Sequence, residues 1–209
     1  MLHNINEVLV LAPHTDDGEI GCGGLISKLK RLGKKITYVA FSTCEESLPK
    51  DLPKDTLAIE VVNATKVLGI DNLIIHNFKV RHFPAFRQEI LEILVKLNKD
   101  IKPDLVLLPM STDTHQDHKT IYEEGIRAFK KTNILGYELV WNNLNLKNQL
   151  FVKLDEVDLN TKINSIKEYK SQGFRDYIDD NFIKSLAIVR GKQVNYSFCE
   201  TFEIIRMIW

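Results

Sequence analysis

The stretch Leu9–Leu25, LVLAPHTDDGEIGCGGL, decides how this chain is read, because an apolar run hands one imidazole and two adjacent carboxylates to a glycine-rich turn. Val8 to Ala12 form a short β-prone run of the kind buried on both faces of a parallel sheet, and Pro13 ends it. The polar cluster therefore stands at a strand's carboxyl end. His14 and Asp17 are spaced so that one tight turn aims both at a single cation, while the Asp16 side chain diverges from its neighbour's and is left unligated. An imidazole with a carboxylate suits a borderline cation such as zinc.

A catalytic metal needs a third ligand from another strand end. Asp104–Pro109, DLVLLP, is a second apolar strand, and the loop after it carries His115-Gln116-Asp117-His118 at the start of a helical pattern. Either histidine completes a three-ligand set and leaves a position for water. Alone, HQDH reads as a helix N-terminus in which the aspartate caps amides and the histidines are merely exposed. Its pairing with HTDD at another strand end turns the reading toward a metal site.

The two motifs together resemble the LmbE-like, or PIG-L-type, metal-dependent N-deacetylases, which carry HPDD after the first strand and HxDH later. HTDDGEIGCGG is similar to the family's HPDD-x-E-I-G-x-G-G form, with Thr15 where proline is usual. VRHFPAFRQEIL, LGYE and YKSQ are similar to a bacterial branch, so the resemblance runs through most of the chain. It implies that His14, Asp17 and His118 bind the metal, that Asp16 is general base on the attacking water, and that His115 faces the developing oxyanion. It further implies that Asp117 orients a neighbouring histidine, fixing its tautomer and ring direction. The chemistry asks for these types. An amide resists neutral water, so a divalent ion must acidify the water and polarise the carbonyl, and a carboxylate must carry protons from water to departing amine.

Composition narrows the classes. At 209 residues and 44% apolar content the chain can bury a substantial core. Twenty-eight basic residues balance twenty-eight acidic ones, which argues against the positive field of a nonspecific nucleic-acid binder. Cys22, Cys44 and Cys199 are few and widely separated, as in a reducing compartment, so a cytoplasmic location is expected. The N-terminal run is too short for a signal peptide, and no stretch approaches a bilayer span.

In order, the pattern predicts a helix face at Leu25, Leu29 and Leu32 ended by Gly33, a strand Ile36–Ser42, a helix from Asp55 or Thr56 to Leu68, and a strand Asn72–Phe78. Val80–Arg87, VRHFPAFR, precedes a helix bearing Phe86, Ile90, Leu94 and Leu97. Its arginines, Arg81 and Arg87, are the candidate substrate binders, because a planar guanidinium suits phosphate or carboxylate recognition. Glu45 and Glu46 read as solvated acids, His76 and His82 as structural or exposed, His3 as disordered, and Trp141 as core. A helix follows HQDH, then a strand Asn133–Trp141, a short strand Phe151–Leu154, a helix from Asp158 to Tyr169, another before Arg190, and a last segment TFEIIRMI that closes a sheet edge.

This alternation predicts an α/β fold: one Rossmann-like domain over 1–209 with a mostly parallel sheet and helices on both faces, its core about 1–140 and its elaboration about 141–209. The expected function is zinc-dependent removal of acetyl from an N-acetylated amino sugar or its conjugate, other divalent transition metals being admitted. The expected partner is that small molecule, with neither nucleic acid nor an integral membrane segment, and with room for a homo-oligomer. The rivals are a metal-dependent phosphoesterase and a non-catalytic sugar-binding module on the same fold.

Overall fold

The structure is a computed structural model that describes residues 5–208, so His3 lies outside it. Thirteen regular elements follow one another: β1 Glu7–Ala12, α1 Asp17–Arg31, β2 Lys35–Ala40, α2 Thr56–Leu68, β3 Asn72–Ile75, α3 Arg87–Ile101, β4 Leu105–Pro109, α4 Gln116–Ala128, β5 Asn133–Tyr137, β6 Leu150–Leu154, α5 Glu156–Ile166, α6 Asp180–Lys192 and β7 Phe198–Arg206. Short 3₁₀ turns occupy the longer loops. The strands form one sheet of order β3-β2-β1-β4-β5-β7-β6. Pairs among β3, β2, β1, β4 and β5 are parallel, whereas β7 runs antiparallel to both its neighbours.

Side-chain alternation along the strands builds two cores. Val8, Val10 and Ala12 of β1 face the cluster that includes α1, α2 and α5, while Leu9 and Leu11 face the cluster that includes α3 and α4. Both faces of the central strands are therefore covered, which is why they read as continuous apolar runs. The order also explains how distant motifs meet. The chain proceeds outward from β1 to β2 and β3, then returns to lay β4 on the other side of β1, so the crevice at their carboxyl ends is the switch point of the sheet.

Three expectations are corrected. The glycine-rich stretch is not a turn: α1 begins at Asp17 and takes the glycines into a helix with a break at Cys22 (φ −145°, ψ 19°). A methyl group on Gly21 would lie 2.3 Å from the Tyr137 ring, and one on Gly24 would lie 2.5 Å from Leu154, so glycine is what lets this helix lie so near the sheet. At the break the N–H groups of Gly24 and Leu25 donate to the two oxygens of Glu200 at 2.8 and 2.7 Å, and buried Lys162 pairs with the same carboxylate at 2.7 Å.

The last strand does not close an edge. β7 lies inside the sheet between β5 and β6, leaving β6 outermost. Its weak alternation reflects burial of Cys199 to Glu203 on both faces. Finally, Asp155 rather than Asp158 precedes α5, and Asp158 reaches back to accept the Asp155 N–H at 3.1 Å.

Candidate active site

The first motif sits where β1 gives way to α1, and the second where the loop after β4 enters α4. Strand pairing of Val8 with Leu105 and Val10 with Leu107 brings the two loops side by side. Three ligand-type atoms converge there. His14 Nδ1 is 3.1 Å from Asp17 Oδ2, His118 Nε2 is 3.2 Å from that oxygen, and the two ring nitrogens are 3.0 Å apart.

The far side of each ring is held. His14 Nε2 faces Asp117 Oδ2 at 3.1 Å, and His118 Nδ1 faces Asp113 Oδ2 at 2.8 Å. Each carboxylate takes a ring N–H, which leaves the lone pairs of His14 Nδ1 and His118 Nε2 directed at Asp17. Three acceptors at such separations repel unless a cation or protons lie among them. Bonds of about 2.1 Å to a tetrahedral ion put its ligands about 3.4 Å apart, a little wider than the triangle's edges. The donor set thus fits a divalent metal.

Charge shifts in the metal-free chain tell the same story with protons. Burial opposes protonation of His118, but Asp17 and Asp113 raise its pKa to about 10. Burial would raise Asp17 as well, yet His118 and His14 pull it well below the ordinary carboxylate value. Its neighbour behaves oppositely: burial, then the Asp17 charge, push Asp16 up to about 6.

His115 joins the group, and the imidazoles of His14, His115 and His118 offer ligand atoms within 4.8 Å of one another. That looser set is an alternative to the Asp17 triangle, but His115 Nδ1 already accepts the Asp117 N–H at 3.2 Å. Its hydrogen then resides on Nε2. Burial followed by repulsion from His118 and His14 lowers its pKa to about 4, so at neutral pH it is an uncharged donor.

Asp117 does more than hold His14. Its buried carboxylate also accepts the N–H of Arg81 at 2.5 Å and of Phe83 at 3.1 Å, tying the 80–83 loop to His14. Arg81 adopts φ 69°, a left-handed conformation that this contact helps sustain. Arg81 lines the site cavity of about 290 Å³ along with His14, Asp16, Asp17, His115 and His118. Arg87 does not line it. Its guanidinium pairs with Glu123 and Glu124 at 2.9 and 2.5 Å and fastens α3 to α4.

Other residues of the site escaped the sequence reading. Asp113 was signalled only by standing two residues before His115. Glu19, fully buried, contacts the hydroxyls of Tyr38 and Tyr169, which also lie 3.0 and 2.6 Å from the Thr15 carbonyl. These contacts hold the turn at Thr15 without the usual proline. Burial pushes the Glu19 pKa up to about 8. Gln172, Arg175 and Tyr177, from the loop before α6, form much of the cavity wall, whereas Glu45 and Glu46 are exposed outside it. Trp141 is 37% exposed at the cavity, stacked on Tyr177 with centroids 4.0 Å apart, and so is not core.

The chain is 28% identical over 170 residues to the uncharacterized deacetylase YaiS of Escherichia coli, covering 78% of this chain and 90% of that one. The fold is shared with N,N'-diacetylchitobiose deacetylase of Pyrococcus horikoshii at a TM-score of 0.81, 21% identity, and coverage of 97% and 84%. It is shared equally with GalB, the 4-carboxy-2-hydroxymuconate hydratase of Pseudomonas putida, at a TM-score of 0.80, 17% identity, and coverage of 98% of each chain. Fold alone therefore does not select the reaction. The family profile of PIG-L, GlcNAc-PI de-N-acetylase, matches residues 9–129, which include both motifs and more than half of the chain, and the protein belongs to that family.

Proposed function

We propose that this protein is a zinc-dependent N-deacetylase that releases acetate from an N-acetylated amino sugar or its conjugate. The observation that carries the proposal is the convergence of His14 Nδ1, Asp17 Oδ2 and His118 Nε2, with Asp16 and His115 beside them on one cavity wall. Membership in PIG-L and similarity to a deacetylase of Escherichia coli support the choice of amide hydrolysis.

His14, Asp17 and His118 would hold the ion. When bound, such an ion acidifies water and polarises the amide carbonyl. Asp16 takes the proton of the attacking water, a task suited to a carboxylate shifted up to about 6, and returns it to the departing amine. His115, uncharged and protonated on Nε2, donates to the oxygen on which negative charge develops. Asp117 and Asp113 keep the His14 and His118 rings from turning. Arg81 binds the sugar or its substituent.

Acetate release from a panel of N-acetylated amino sugars, measured with zinc-loaded protein and after chelation, tests the reading. Chelator-sensitive acetate is expected. Phosphate release from sugar phosphates without acetate would favour the phosphoesterase instead. No helix among the described residues is long and apolar enough to cross a membrane.

A further inference from the structure

Asp16 and Asp17 are adjacent, yet they are held in different ways. Asp17 is fixed through its side chain, whose Oδ2 accepts the His14 N–H at 2.8 Å and meets a ring nitrogen of both His14 and His118. Asp16 is not. His14 and Arg175 place positive charge near it without hydrogen-bonding to it, and its carboxylate rests on its own N–H. The aim of Asp16 is therefore set by its backbone, at φ −100° and ψ −11°. Downstream that backbone is fixed by α1, where the Ile20 N–H donates to the Asp16 carbonyl at 3.1 Å. Upstream it is fixed through the peptide group that joins Thr15 to Asp16.

That peptide is gripped at its carbonyl from two distant elements. The Tyr38 hydroxyl of β2 donates to the Thr15 oxygen at 3.0 Å, and the Tyr169 hydroxyl, from the loop after α5, donates to it at 2.6 Å. Both tyrosines are buried, and behind them the buried Glu19 carboxyl contacts each hydroxyl, Tyr169 at 2.9 Å, so the two oxygens keep a fixed separation. Gly18 makes the room. A methyl group there would lie 2.5 Å from the Tyr38 ring, and the Gly18 N–H donates to the Tyr38 hydroxyl at 3.2 Å.

A peptide group is planar, so a carbonyl pinned by two donors also fixes the direction of the N–H on its far side. Here that N–H is the one on which the Asp16 carboxylate rests. A proline at position 15 would restrain this turn through its ring, which locks φ. Threonine has no such lock, and the two hydroxyls supply the restraint from outside the turn.

We infer that Tyr38 and Tyr169 are positioning residues, which act through the Thr15–Asp16 peptide to aim the Asp16 carboxylate at the water it activates. The inference rests on the deacetylase reading for the reaction, and on the hydrogen bonds to Thr15 for the positioning itself. Tyr137 provides a comparison within the same molecule. Its buried hydroxyl donates to the Leu11 carbonyl of β1 at 2.9 Å, a contact of the same kind that does not touch the turn. Removing any of the three hydroxyls strands a buried carbonyl partner and lowers stability. Removal of the Tyr38 or Tyr169 hydroxyl also releases Asp16.

The test compares Tyr38→Phe, Tyr169→Phe, the double variant and Tyr137→Phe with the parent, all zinc-loaded. Acetate release is measured on N-acetylglucosamine and N,N'-diacetylchitobiose, and crystal structures of the parent and of the Tyr38 and Tyr169 variants are determined. Each single change at Tyr38 or Tyr169 should lower kcat about tenfold, and the double about a hundredfold, the order expected when a reacting group moves by about 1 Å. KM should stay within about twofold and zinc content should not change. Tyr137→Phe should lower Tm comparably yet keep kcat within about twofold. In the crystals the Asp16 carboxylate should shift by more than about 0.5 Å while His14, Asp17 and His118 stay in place. Unchanged kcat in the Tyr38 and Tyr169 variants, an equal loss in Tyr137→Phe, or an unmoved Asp16 overturns the inference. If the double variant does not fold, the single variants decide it on the same criteria. If the parent releases no acetate from either probe, the deacetylase reading fails, and the crystals alone decide the positioning: a displaced Asp16 upholds it and an unmoved one overturns it.

Discussion

Replacing Glu200 by alanine should destabilise the fold by about 3–5 kcal/mol, the usual cost of stranding one partner of a buried ion pair. The structure specifies what is stranded. Lys162, 5% exposed, loses the carboxylate it pairs with, and the Gly24 and Leu25 N–H groups lose acceptors at 2.8 and 2.7 Å where α1 breaks. Lys162→Met should cost less, about 1–3 kcal/mol, because Glu200 keeps both backbone donors and lies where the second half of α1 begins, a position that favours negative charge. The double variant should cost no more than Glu200→Ala alone, since it leaves no ammonium unpaired. Urea unfolding in the presence of chelator, followed by far-ultraviolet circular dichroism, measures all three. A Glu200→Ala variant within about 1 kcal/mol of the parent, or a double variant equal to the sum of the singles, would refute the argument.

Asp16→Asn should keep its metal and lose about a hundredfold to ten-thousandfold in rate, whereas Asp17→Asn should lose metal; metal stoichiometry and kcat for both variants decide between these roles. Asp113→Ala should weaken metal affinity about ten- to a hundredfold by freeing the His118 ring, read by competition with a chromogenic chelator. The Glu19 carboxyl is pushed up to about 8 in the fold, from 4.5. The folded chain therefore binds the extra proton, so stability present at acid pH falls as pH rises from about 4.5 toward 8 and levels beyond it. Glu19→Gln cannot ionise and should lack that fall. Parallel plots of Tm against pH for the two metal-free proteins would contradict it.

The central α/β frame was legible because its strands are mostly apolar and its helices carry a periodic apolar face. The two motifs were legible because chemistry concentrates at strand ends. What periodicity could not convey was contact between distant segments. GCGG looks like a turn locally, and only the packing of Gly21 on Tyr137 and of Gly24 on Leu154 shows why a helix of glycines is worth having. Arg81 and Arg87 are indistinguishable by composition, yet one lines the cavity and the other meets Glu124. Asp113 and Arg175 carry no motif at all. One is revealed only by the His118 ring it faces, the other only by its place in the cavity wall beside Gln172.

The interior place of β7 bears on the order in which the molecule can assemble. Among the described residues β6 pairs with β7 alone, so it cannot join the sheet until residues 198–206 have docked against β5. The same strand brings Glu200 to the break in α1, a contact spanning 176 positions of sequence. Closure over so long a separation is slow, and its enthalpic return arrives only at the end. The helix that begins with Asp17 thus acquires its final support from a strand synthesised long after it, and a nascent chain can display both histidine-aspartate motifs well before it can hold them in register.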